Sequence, residues 1–279
     1  MAESTNEAYK PLVTGSHGGP TSQSATHKRA CRRGINQVMN TVRPSGTLYL
    51  LPSPLHMEAD PQFLPAILAP LALQLTHWVV ESERSARRFL RALNPGCPID
   101  TLNFSLLNEH TRPDEVPNML LPARAGENIG LLSDAGCPAI ADPGAWLVAE
   151  AHKHGIPVHP VAGPSSIVLT LMGSGMDGQK FSMHGYLPVE ASARVRALKG
   201  LEEESRRQGG ATQLFIETPY RNRQMLAAIE VSLRGGTRLC IGADLGSPHP
   251  YLLTRSIEEW KGKWPDLHKI PAVFALQAH

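Results

Sequence analysis

The chain is poor in the features that mark several protein classes. Its four cysteines, Cys31, Cys97, Cys137 and Cys240, form no CxxC pair and no Cys/His ligand spacing. A disulfide framework and a zinc site are therefore not expected, no other metal site is indicated, and a reducing cytoplasm fits. No uninterrupted apolar run approaches the roughly 20 residues that a membrane span requires. The apolar stretch Phe63 to Leu75 is short and broken by Pro65 and Pro70. Charge of one sign is not in excess either: 27 Lys and Arg stand against 25 Asp and Glu, a net charge of +2. Such a balance neither demands nor excludes a nucleic-acid partner. There is no P-loop, no GxSxG elbow and no HExxH. Gly173-Ser174-Gly175-Met176-Asp177-Gly178 has the letters of GxGxxG. It follows an apolar helical run rather than a strand, so it reads as a helix cap and turn.

What is present is an alternation of strands and helices. Residues 1–46 are rich in Ser, Thr, Gly and His, end near the basic cluster His27 to Arg33, and lack the apolar core of a secretory signal. They read as a disordered tail, with Met39 as an alternative translation start and a nucleic-acid-binding arm as an alternative role. From Thr47 the pattern predicts strands at Thr47–Leu51, His77–Val80, Ile99–Phe104, Ile129–Leu132 and Ile156–Val161. Helices are expected at Pro61–Gln74, Ser85–Leu93, in part of Pro113–Arg124, and from Asp142-Pro143 to Gly155. This is a mainly parallel sheet with helices on both faces. Beyond Gly163 strands follow one another with less helix between them: Phe181–Leu187, Thr212–Ile216, Arg238–Ala243, Pro250–Arg255 and Pro271–Gln277, with helices at Ser192–Arg207, Asn222–Leu233 and Ser256–Lys263. A mixed sheet is expected there. The chain thus divides into an α/β domain at 47–162 and a second at 163–279.

The central unit runs from Glu127 to Pro188. Two of its strands end in small-residue bends, Ser133 to Pro138 and Gly163 to Ser166. In a right-handed strand–helix–strand unit both bends fall at the carboxyl edge of the sheet, where open α/β sheets bind ligands. Close helix–strand packing is the plain alternative for the same small residues. Ser165 and Ser166 have no identifiable catalytic partner and read as turn residues. Glu81, Glu83 and Arg84 follow one strand, Asn108, Glu109 and His110 another, and Glu217 to Arg221 a third. These residues either serve as bases and hydrogen-bond partners at the ligand edge or cap helices and pair with Arg87 and Arg88.

The residues SDAGCPAIADPG, then GIPVHPVAGPSS, then FSMHGYLP, resemble the tetrapyrrole methylase superfamily. Within it the likeness is greatest to its ribosomal RNA small subunit methyltransferase I branch, whose pattern is roughly SDAGTPxIxDPG, PGPSA, SGL and FxFxGFLP. The likeness extends from Thr47 to the C-terminus. It implies a two-domain fold with S-adenosyl-L-methionine held in a cleft between a mainly parallel N-terminal sheet and a mixed C-terminal sheet, and a homodimer. Carried over by position, it places the cofactor against Leu55, Asp134, Ala135, Gly136, Cys137, Pro138, Ile140, Ser165 and Ser166. Ile216, Glu217 and Leu245 close the pocket from the second domain. It implies methyl transfer to a ribose 2'-hydroxyl of small-subunit rRNA, with Glu81 or Glu109 as proton acceptor and Arg84 orienting the acceptor. The chain departs from the branch at Pro52 to Asp60, which lacks a Gly-Asn pair, at Ala243 to Ser247, where an Arg-Glu-x-Thr-Lys run is usual, and at Tyr220, where His is usual. Lost basic residues weaken a phosphate-rich contact. A tetrapyrrole or other small-molecule acceptor, and a non-catalytic cofactor-binding homologue, are the alternatives.

Overall fold

A computed structural model describes residues 45–56 and 64–279. The expected tail lies outside them apart from Ser45 and Gly46, as do Met57 to Asp60 of the departing segment. The described residues fall within one compact unit.

The first sheet contains β1 (Leu48–Leu50), β2 (His77–Val80), β3 (Asn103–Leu106), β4 (Ile129–Leu132) and β5 (Val158–Pro160), in the order β3-β2-β4-β1-β5. Every pairing in it is parallel. Ile129, Leu131 and Leu132 of β4 are buried, as a strand covered on both faces requires. On one face Leu48, Leu50 and Ile129 pack with Leu147 and Ala151 of α4 (Gly144–Lys153). On the other Trp78, Val80 and Leu132 pack with α1 (Leu68–Ala72) and with Phe89 and Leu90 of α2 (Glu83–Leu93). A short α3 (Leu121–Arg124) precedes β4.

The second sheet, in the order β6-β7-β10-β8-β9, is mixed: β6 (Phe181–Tyr186) runs parallel to β7 (Thr212–Glu217). The pairings among β7, β8 (Arg238–Ala243), β9 (Tyr251–Ser256) and β10 (Ala272–Gln277) are antiparallel. One face carries α6 (Ala191–Arg207), α7 (Asn222–Ser232) and α8 (Ile257–Trp260), over a core that includes the stacked rings of Phe215 and Phe274, 5.2 Å apart. The other face is covered by α5 (Ser166–Ser174), whose Ile167 and Leu171 pack on Leu214, Cys240 and Val273. Helix α5 begins in the bend that follows β5 of the first sheet and spends its apolar face on the second. This one element ties the carboxyl edge of the first sheet to the second sheet.

Three expected elements are corrected. Ile99–Thr101 is a 3-10 turn and the strand begins only at Asn103, because the carbonyl of Pro98 accepts from the amide and hydroxyl of Thr101. In the described part of Pro61–Gln74 the helix is confined to Leu68–Ala72: the Pro65 carbonyl accepts from the Leu68 amide, and Pro70 falls in the first turn, where a missing N–H costs nothing. Helix α4 starts at Gly144 with Pro143 as its cap residue, one step later than Asp142-Pro143 implies. Asp142 still serves that end, its Oδ1 accepting from the amides of Gly144 at 2.7 Å and Ala139 at 3.0 Å.

Candidate functional site

Strands β4, β1 and β5 are neighbours, so the loops that follow them meet at one edge. After β1, Ser53 exchanges two backbone hydrogen bonds with Gly136, of 2.9 and 3.1 Å, and its hydroxyl donates to the Ser133 carbonyl at 2.8 Å. The Cys137 thiol, its pKa raised by burial, donates to the Pro164 carbonyl at 3.3 Å. The two bends are therefore in contact. Gly136, at φ +76°, faces the second bend closely: a Cβ there would lie 3.1 Å from Leu55 Cδ2 and 3.2 Å from the Pro164 carbonyl oxygen. Beside them Ser165 caps α5, accepting from the Val168 amide.

A cavity of about 200 Å³ opens beside these bends, lined by Leu55 and Ala135 from the first half, by Ser166 at the start of α5, and by Ile216, Glu217 and Leu245 from the second sheet and its loops. Gly136, Cys137 and Ser165 form the bends themselves, whereas Pro138 is buried in its bend and Ile140 is exposed; neither is among the cavity's lining residues. Glu217 is the one carboxylate among the lining residues. Its side chain is 0% exposed, its Oε1 accepts from the Thr218 amide at 2.6 Å and pairs with Arg221 Nη2 at 2.6 Å, and its Oε2 is buried without a partner. A buried carboxylate oxygen left unmatched is costly. It fits a ligand that brings a donor or a positive charge.

A second, larger cavity of about 790 Å³ adjoins the first, and Tyr186 lines both. Its lining holds four carboxylates, Glu81, Glu109, Asp134 and Asp142, together with Asn108 and Trp146. No Lys or Arg is among its lining residues. Glu81 follows β2, and its Oε2 accepts from the Asp134 amide at 2.7 Å. Burial raises the Glu81 pKa against the lowering effect of that amide, and the negative charges of Asp142, Asp134 and Glu109 raise it further. Asp134 is raised by desolvation too, opposed by a hydrogen bond from Ser85, and Asp142 by burial, opposed by the amides that it caps. Glu109 is exposed, 3.7 Å from His110. Arg84 is exposed in the first turn of α2, outside either lining, while Glu83 pairs with Arg87 at 2.7 Å on the helix surface.

The sequence-predicted residues thus sort into two compartments, with Glu81, Glu109 and Asp134 in the larger and Leu55, Ala135, Ser166, Ile216, Glu217 and Leu245 in the smaller. Tyr186, Trp146 and Asp142 were not singled out as site residues from sequence. Gly185 inside a strand pattern was a usable signal for the first of them, since an interior glycine marks a bulge or a close approach.

A parallel sheet and a mixed sheet joined through α5, with a cavity at the carboxyl edge of the first, define the tetrapyrrole methylase fold. The solved structure of the methyltransferase CobJ shares it, at a TM-score of 0.56 and 13% identity over 83% of this chain and 94% of that one. No protein-family model matches the chain. Among curated proteins, the Ribosomal RNA small subunit methyltransferase I of Escherichia coli O157:H7 is 31% identical over 237 residues, 85% of this chain and 73% of that protein. The protein of the same name from Mesorhizobium japonicum is 36% identical over 138 residues, 50% of this chain and 45% of that one, so the chain spans about half the length of this relative. The chain belongs to the ribosomal RNA small subunit methyltransferase I family.

Proposed function

We propose that the protein is a methyltransferase that moves a methyl group from S-adenosyl-L-methionine to a ribose 2'-hydroxyl of a cytidine in small-subunit rRNA. The observation that carries this reading is the pair of adjoining cavities, one walled by the two bends and the other by Glu81, which is hydrogen-bonded to the same bend. The smaller cavity is the cofactor compartment. Residues fit it in chemistry: Ala135 and Gly136 keep side chains away from the backbone, and the orphaned Glu217 Oε2 can accept from a donor or face a cation. When bound, the cofactor supplies a methyl group already activated on a cationic sulfur.

The remaining work falls to the chain's own side chains. Glu81 receives the proton released by the acceptor hydroxyl, and its raised pKa brings it closer to the working range of a general base. The Asp134 amide fixes the carboxylate that does this. Glu109, more exposed in the same cavity, is the second candidate for that proton, and Arg84 is assigned no step. Residues 47–162 and 163–279 act as the two domains of the cleft, in a cytoplasmic homodimer.

The acidic lining bears on the acceptor. Four carboxylates with no Lys or Arg among the lining residues disfavour a tetrapyrrole polycarboxylate, because like charges in a partly desolvated space repel. A ribose brings no formal charge of its own, so an rRNA acceptor fits this lining only with its flanking phosphates held outside it. The Ala243 to Ser247 segment, which lacks the usual basic pair, is the feature that favours a small-molecule acceptor instead. Primer extension at low nucleotide concentration on small-subunit rRNA from a strain lacking the gene separates the two. A 2'-O-methyl stop that disappears on deletion and returns on complementation supports the proposal, and an unchanged pattern of stops contradicts it.

A further inference from the structure

Strand β6 contains one residue more than its partner at the point where it reaches the site. Met183 stands opposite Leu214, and the next register pair is Tyr186 opposite Ile216, so three steps along β6 match two along β7. Gly185 supplies the irregularity: its φ is +63°, and a Cβ built there would meet nothing within 4 Å. Side chains alternate faces along a strand, so an extra residue reverses the alternation beyond it. Without the bulge, position 185 would share the face of Met183 and Ile216 and Tyr186 would point to the other side. With it, Tyr186 joins Ile216 on the cavity face, where it lines both compartments.

We infer that Tyr186 is a positioning residue of the methyl-transfer site: its ring is a shared wall of the two cavities, and its phenolic hydroxyl donates a hydrogen bond to the acceptor in the larger one. This rests on the methyltransferase reading above. Charges from both compartments reach the phenol. Burial raises its pKa most, followed by the negative charges of Glu217 and Glu81, with Arg221 opposing. A phenol above its ordinary value of 10 keeps its proton at neutral pH and is a donor, which leaves the acceptor's own proton to Glu81. The two roles are complementary, one group giving a hydrogen bond and the other taking a proton; the branch pattern FxFxGFLP has Phe at this position, so the hydroxyl is a feature of this chain added to a ring that the branch shares.

The test compares Tyr186→Phe and Tyr186→Ala with the wild type in two measurements. One is calorimetric titration with S-adenosylmethionine. The other is steady-state methylation of small ribosomal subunits purified from the deletion strain, resolved into kcat and subunit KM. Tyr186→Phe keeps the wall and loses the donor. It should hold cofactor affinity within about twofold and lower kcat/KM for the subunit by about tenfold, the size of one hydrogen bond. Tyr186→Ala should also weaken cofactor binding by about tenfold or more: the ring is 56% exposed in the unliganded chain, and a ligand lying against it would cover that apolar surface. Wild-type kinetics in Tyr186→Phe, with the cofactor still bound, would overturn the positioning role and leave the methyltransferase reading standing. Loss of cofactor affinity in Tyr186→Phe as large as in Tyr186→Ala would also overturn it, by showing that the hydroxyl serves the cofactor. A wild-type protein that binds no S-adenosylmethionine would overturn both.

Discussion

Glu81 Oε2 accepts a 2.7 Å hydrogen bond from the backbone amide of Asp134, across 53 positions of sequence. The carboxylate at the end of β2 is thereby fixed to the bend at the end of β4, so the proposed proton acceptor and the proposed cofactor wall share one piece of backbone. Glu81→Gln can keep an acceptor oxygen for that amide while losing the proton-accepting charge. Turnover should fall by about 100-fold, the ordinary contribution of a general base. Cofactor affinity by calorimetry should change by less than about twofold. A large loss of affinity instead would make Glu81 a structural anchor of the bend.

The same residue gives a pH dependence with a definite sign. Its folded pKa lies above the ordinary 4.5, so the ionised form is disfavoured by folding. Stability from this group is full below the unfolded value and is lost as pH rises through the folded one. Urea denaturation from pH 4 upward should show wild type losing more stability with pH than Glu81→Gln. Equal slopes would mean that the burial of this carboxylate has no thermodynamic weight.

Arg221 is paired with a fully buried carboxylate, that of Glu217. Removing the cation leaves a buried charge with only the Thr218 amide for compensation. Arg221→Met should therefore destabilise the protein by about 3 kcal/mol in chemical denaturation. The double variant Glu217→Gln/Arg221→Met should recover part of that loss. A single variant as stable as wild type would show that the pair is relaxed by solvent.

At the start of α6, Glu190 accepts from the Ser192 and Ala193 amides and from the Ser192 hydroxyl. These bonds lower its pKa to about 2. Its folded value is depressed, so its contribution is present above the ordinary 4.5 and is lost as pH falls toward 2. Acid unfolding of Glu190→Gln should differ from that of wild type in this window by a weaker dependence on pH. Superimposable curves would contradict the capping role.

Much of this site was readable in the sequence because it is carried by local chemistry. The buried run Ile129–Leu132, the small residues after it and the small-residue turn Gly163 to Ser166 predict two bends at one sheet edge, and the bends are in contact. Resemblance rather than spacing then grouped Leu55, Ile216, Glu217 and Leu245 with them, since these residues come together only through the packing of α5 on the second sheet. What was not legible depends on register and on turn hydrogen bonds. Tyr186 faces the cavities because of one extra residue in β6, which alternation alone places on the wrong face. Ile99 and Thr101 have strand-like side chains, yet the Pro98 carbonyl holds them in a turn. The acidity of the larger cavity comes from three loops distant in sequence, after β2, β3 and β4, and no window of sequence contains it.

On the proposed reading the touching bends wall a compartment for S-adenosylmethionine, and Gly136 is the position where a side chain would intrude on both. A side chain at this position requires a left-handed backbone conformation and meets Leu55 and the Pro164 carbonyl. Calorimetric titration of S-adenosylmethionine into wild type and into Gly136→Val, with circular dichroism to verify that the variant is folded, measures it directly. Saturable heat in the wild type that is lost or weakened by about 100-fold in the folded variant is the predicted result. No heat in the wild type, or equal affinity in the two, would contradict it.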